Sequence, residues 1–179
     1  MDIKTLCLEL GASNAGEAPV EKLVLSPELR ALCDQNACGK FADNHTCPPL
    51  VGEVDKLIEK LKTFTTAVIW QNIFPLEDSF DFEGMMDAQK THNAMTLEIA
   101  RRVRAELGGD NALILAAGGC SLCEKCAAMT GEPCRNPLVA LASLEAYGVN
   151  VSATSEAFGM KYINGANTVT YFSGVFTRR

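Results

Sequence analysis

Four cysteines fall within fifteen residues in the stretch AAGGCSLCEKCAAMTGEPCRNP, residues 116–137. The spacing is C-x2-C-x2-C-x7-C, made by Cys120, Cys123, Cys126 and Cys134. Three thiolates three residues apart can wrap a compact inorganic core within one loop, and a fourth from farther along the chain closes the cage. Ferredoxin-type runs share the first spacings, with a shorter closing arm and a proline directly after the last cysteine. Here Pro133 precedes Cys134 and Pro137 follows three residues later. Gly118 and Gly119 allow close backbone approach, and N–H groups near sulfur raise a cluster's reduction potential. Lys125 and Arg135 either offset the charge of four thiolates or are solvated surface residues. Four cysteines also bind zinc tetrahedrally, but structural zinc usually draws two C-x2-C pairs from separate knuckles. Three ligands on one short segment fit a [4Fe–4S] cluster better. Zinc is the alternative, and incidental structural thiols come third.

A second set, Cys33, Cys38 and Cys47, sits in CDQNACGKFADNHTCPP with spacing C-x4-C-x8-C. Three cysteines make an incomplete set for a four-ligand site. Cys7, His45, a small molecule or nothing completes it. Cys7 lies on the apolar face of a helix and reads as a buried structural thiol. His45 is a ligand or a surface histidine, and His92 reads as a residue on the inner face of a helix. Two arrangements follow: a second cluster beside the first, or a metal or redox site next to a single one. A site with three cysteine ligands leaves an iron open to substrate.

The elements around these residues read as follows. Ile3, Leu6, Cys7 and Leu10 predict a short helix ended by Gly11, followed by a loop over 12–19. VEKLVLS (20–26) reads as a strand, and Ser26–Pro27 as the start of a helix that delivers Cys33. Val54, Leu57, Ile58 and Leu61 mark another helix. TTAVIWQNIF (65–74) is a buried strand by its β-branched content. Steps of three and four from Met85 to Val103 predict the longest helix, ended at Gly108–Gly109. NALILAAGG (111–119) is a strand running into Cys120. Asn136–Pro137 predicts a helix with Leu138, Leu141 and Leu144 inside, then a short strand at VNVSA, a helical turn, and a terminal strand over 167–177. Alternating helices and strands predict an α/β layered single domain spanning 1–179, with a mainly parallel sheet flanked by helices and two cysteine-rich metal-binding loops. In such sheets functional groups gather beyond the carboxyl ends of strands, where Cys120 falls.

The order of these motifs resembles a family, the uncharacterised "predicted metal-binding protein" group, domain of unknown function 2284. It shares a cysteine loop ending in C-P-P, a strand leading to G-x-C-x2-C-x2-C, a C-R-x-P step and an S-x-E-A-x-G segment. Here these read CDQNACGKFADNHTCPP, GGCSLCEKC, PCRNP and ASLEAYGVNV, over roughly residues 30–152. The resemblance implies metal ligation by Cys33, Cys38, Cys47, Cys120, Cys123, Cys126 and Cys134, and implies no substrate. Where the family carries aromatic residues ahead of C-P-P, this chain has Phe41 and then Asp43, Asn44 and His45. Glu145 of the S-x-E-A segment either points at the metal region or is a solvated carboxylate.

The length of 179 residues, 47% of them hydrophobic, buries a core without disulfide staples. Net charge is −6 and no basic stripe occurs, so nucleic acid is not an expected partner. No apolar run reaches a membrane span, and the start MDIKTLCLELG is not a secretory signal. A cytoplasmic setting keeps eight cysteines reduced and available for metal or redox chemistry. Nucleotide and phosphate loops are absent from the sequence, and two histidines leave little for a Ser–His–acid set. The leading expectation is an iron–sulfur electron-transfer protein of anaerobic metabolism, holding one or two [4Fe–4S] clusters and serving a redox partner protein. A cluster enzyme binding a small-molecule substrate at an open iron, and a zinc-stabilised binding module, are the alternatives.

Overall fold

The computed structural model describes residues 1–178. Helix α1, Ile3–Glu9, is capped by Asp2, whose side chain accepts from the Thr5 N–H at 2.9 Å. Strand β1 follows at Asn14–Pro19, then α2 at Val54–Leu61 and β2 at Thr66–Pro75. The long helix α3, Phe82–Leu107, starts at Asp81, which accepts from Gly84 N at 2.8 Å, and stops at Gly108. Strand β3 is Ala112–Leu115, α4 is Val151–Ala157 and β4 is Thr168–Thr177.

The four strands form one sheet in the order β1-β2-β4-β3. The side-chain period of two splits its residues between two apolar clusters. Val68, Trp70, Ile114 and Val175 face α1 and α3, against Ile3, Leu6, Ile99 and Val103. Ala67, Ile69, Leu115, Phe172 and Phe176 face the other way, against Leu61, Phe64, Leu144, Tyr147 and Phe158. Each fully buried side chain of this size contributes about 1.5–3 kcal/mol.

The expected mainly parallel sheet is wrong: every strand pairing is antiparallel. The β2–α3–β3 alternation does leave β2 and β3 pointing the same way, as a crossover requires. The terminal strand β4 then inserts between them and pairs antiparallel with both, over Thr66↔Thr177 to Pro75↔Thr168 on one side and Ala112↔Thr177 to Leu115↔Gly174 on the other. Nothing local in the sequence announces that insertion.

Further element expectations also change. β1 forms in NAGEAP, read as loop, because an edge strand needs only one partner; a Cβ at its Gly16 would collide with the Phe158 carbonyl. VEKLVLS yields a 3-10 turn at Val20–Lys22 and a single bridge, Leu25↔Val149. VNVSA is helical rather than extended, because Asn150 caps α4 by accepting from Ala153 N at 3.1 Å. The helix expected after Pro137 stops after one turn. Its continuation is drawn out beside the end of β3, with Ala116 N–H donating to Ala142 O at 2.8 Å and Leu144 N–H to Ala116 O at 3.3 Å. Leu141 and Leu144 are buried as expected, but Leu138 is 83% exposed.

Candidate metal centre

Beyond β3 the chain passes through buried Ala116 and Ala117 and turns at Gly118, whose φ of 72° favours glycine. Cys120 therefore lies five residues beyond Leu115, where β3 ends, rather than directly at the end of the strand expected over 111–119. A 3-10 turn, Ala127–Thr130, begins directly after Cys126 and ends at Gly131 (φ 72°), turning the chain toward Cys134. Cys120, Cys123, Cys126 and Cys134 all line one cavity, together with Asn44, His45, Thr46 and Asn136. All four are free, half-buried thiols. Burial pushes the Cys120 thiol pKa up, and the charges of Cys134, Cys123 and Cys126 add to that shift. Two of the sulfurs accept hydrogen bonds from one residue. Asn136 donates its backbone N–H to Cys134 Sγ and its side-chain Nδ2 to Cys123 Sγ, each at 3.4 Å. Arg135 laces the loop, donating to the Lys125 carbonyl at 3.1 Å, with Glu132 3.8 Å away.

The upstream thiols come from a 3-10 turn, Pro27–Gln35, and the irregular chain after it. Arg30 fixes that turn by donating to Ala146 O at 3.0 Å and Gly52 O at 2.6 Å. Asn36 (φ 49°) reverses the chain and accepts from Phe41 N at 3.0 Å. Burial raises the pKa of Cys33 and Cys47, and the charges of the neighbouring thiols raise both further. Cys38 is exposed. Of the proposed completing ligands, Cys7 is buried between α1 and the sheet and pushed up to about 12 by burial, so it serves the core. His45 turns to the downstream loop instead, with Nε2 2.8 Å from Glu132 O. Glu145 reaches solvent, yet its dense surroundings raise its carboxyl pKa, and its charge acts on Cys33. The position of Glu145 is thus beside the upstream thiols. His92 is a core residue between α3 and the sheet.

The two cysteine loops are docked onto each other. Asn44 donates to Cys120 O at 2.7 Å, and Cys120 N–H donates to Thr46 Oγ1 at 3.0 Å. Thr46 in turn donates its N–H and its hydroxyl to Asn44 Oδ1, each at 3.0 Å. A Cβ on Gly119 would lie 2.7 Å from Cys47 Sγ, so the last upstream thiol abuts the residue before the first downstream one. Sequence reasoning missed Asn44, Thr46 and Asn136. The available signal was an Asn-x-Thr step in a loop, a local turn former, and an asparagine two residues past a cysteine.

Among the described residues, no three His, Cys, Asp or Glu side chains come together closely enough to hold a metal ion as the side chains stand. No helix among the described residues is long and apolar enough to cross a membrane.

A family model described as predicted metal-binding protein (DUF2284) matches residues 17–177, extending past both ends of the motif-bearing stretch. No curated protein and no solved structure matches the chain.

Proposed function

We propose that this chain, which belongs to the predicted metal-binding protein (DUF2284) family, holds a [4Fe–4S] cluster on Cys120, Cys123, Cys126 and Cys134 and transfers single electrons to a redox partner. The observation that carries this reading is the shared cavity: four thiols from one loop and its closing arm line it together. When bound, the cluster supplies a one-electron couple. The protein's own part is to hold the four sulfurs, to donate N–H groups to two of them through Asn136, and to fix the Cys120 backbone through Asn44 and Thr46. Seven of the eight cysteines stand in the two docked loops, and all are unpaired, which suits a reducing cell interior.

Cys33, Cys38 and Cys47 form a second metal or redox site against the first. A second reading makes that site the place where a small substrate binds at an open iron. It is favoured by the exposure of Cys38 and by the carboxylate of Glu145 beside Cys33.

Both readings are tested on protein purified without oxygen, assayed together for iron, sulfide, zinc and visible absorption. Broad brown absorption that bleaches with dithionite is expected. A colourless protein with one zinc sinks the iron–sulfur reading. Cys47→Ser then separates one site from two: a reduced iron content with a retained downstream cluster assigns iron to the upstream thiols, and an unchanged content removes them from the cluster account.

A further inference from the structure

We infer that Asn136 is a positioning residue that sets the reduction potential of the downstream centre, a role that rests on the cluster reading above. Sequence patterning gives Asn136 a different task, capping a helix at Pro137. The structure spends its polar groups otherwise. Its carbonyl accepts from Val139 N at 3.0 Å and Ala140 N at 2.8 Å, which anchors the residue in the single turn that follows. Its backbone N–H and its side-chain amide are then both turned onto sulfur, at Cys134 and Cys123.

These two sulfurs come from different parts of the motif, one from the triple run and one from the closing arm. A single half-buried asparagine thus ties the arm to the run. The chemistry follows from charge. Electron density added on reduction spreads onto the thiolate sulfurs, and an N–H dipole aimed at sulfur stabilises it there. Hydrogen bonds to ligand sulfur are one of the protein's levers on potential, and bonds to a charged acceptor are about twice as strong as neutral ones. Pro137 has no N–H to add and biases the residue before it toward an extended backbone, so the donors near these sulfurs are concentrated on Asn136. Arg135, the adjacent cation, is committed to the Lys125 carbonyl and exposed.

The test compares the parent protein with Asn136→Ala, Asn136→Gln and, as a neighbouring control, Arg135→Ala. Each is assayed for iron and sulfide and titrated anaerobically with dithionite for its midpoint potential. Asn136→Ala removes only the Nδ2 donor. Its expected midpoint is more negative by the equivalent of about a tenfold loss in the one-electron reduction equilibrium, about 59 mV, with Asn136→Gln nearer the parent. Full iron content with an unchanged potential in Asn136→Ala overturns the inference. If Asn136→Ala loses iron, Asn136→Gln decides. Iron regained with a restored amide supports the hold on the two sulfurs, whereas iron still lost assigns Asn136 to packing and overturns it. A parent without iron is a separate outcome, read before any variant, and it overturns the cluster reading together with this one.

Discussion

A Cβ at Gly119 would lie 2.7 Å from Cys47 Sγ and 2.8 Å from Lys40 Cδ. The lysine stem can swing aside, but the Cys47 sulfur has less freedom. Its residue is fixed through its own N–H to Asn44 O and through Val51 N–H to its carbonyl, both at 3.0 Å. Gly119→Ala therefore forces the two cysteine loops apart. Overpacking of this kind costs about 1–3 kcal/mol, and part of the loss falls on the geometry of Cys120. The expected outcome is a lower urea midpoint together with a lower iron content. Gly109→Ala is the matched control, since a Cβ there meets nothing within 4 Å. Equal stability and iron in both variants would mean that the loops do not touch at Gly119.

At the scale of elements, α3 is joined to the sheet by a buried polar bridge. His92 Nδ1 lies 2.7 Å from Asn72 Oδ1 on β2, and its Nε2 lies 2.7 Å from Ser173 Oγ on β4. Asn72 donates its own amide to Gly11 O at 2.8 Å, so its oxygen accepts from His92 and the Nδ1 carries the proton. Burial holds the His92 pKa down to about 4 from an ordinary 6.5. The unfolded chain therefore takes up a proton in a window where the folded chain does not. Stability from this residue is full above pH 6.5 and falls as pH drops toward 4, by about 3 kcal/mol at 1.36 kcal/mol per unit. Urea midpoints across that window should show the slope, and His92→Gln should flatten it; the same slope in the variant would place the proton uptake elsewhere. This helix was legible because its inner face repeats from Ala88 to Val103 at the helical period, and β2 and β4 were legible from their β-branched runs. β1 was not, because NAGEAP carries no strand signal and is extended only by pairing with β2. The turn after Pro137 was misread for a related reason. Its cap and apolar spacing were right for a helix, but the Ala142 and Leu144 backbone is committed to Ala116. The downstream ligands needed no fold to be found, since their spacing is itself the signal. Asn136, Asn44 and Thr46 became visible only once the loops were placed against each other.

At the scale of the whole molecule, the apolar clusters and the thiol loops are separate bodies of structure. Cys7 is the one cysteine in either cluster, and its burial there takes it out of the ligand set. The sheet with α1, α2 and α3 closes around Trp70, Ile69, Phe176 and Val103 without help from the other seven thiols. Metal binding here should therefore organise loops on a preformed core rather than create the fold, unlike a small zinc finger, which is unfolded without its metal. The prediction is a division in hydrogen exchange after the metal is stripped by a chelator in oxygen-free buffer. Amides in 36–52 and 118–135 should lose protection. Those of Val68–Gln71 and Phe172–Val175, in the two central strands, should keep it, with little change in far-ultraviolet dichroism. The docking of the loops sharpens the expectation. Because Asn44 and Thr46 grip Cys120, both loops should open together even if only the downstream metal is lost. Loss of protection in the central strands at the same chelator concentration would show that the metal holds the entire fold, and the separation of core from site would fail.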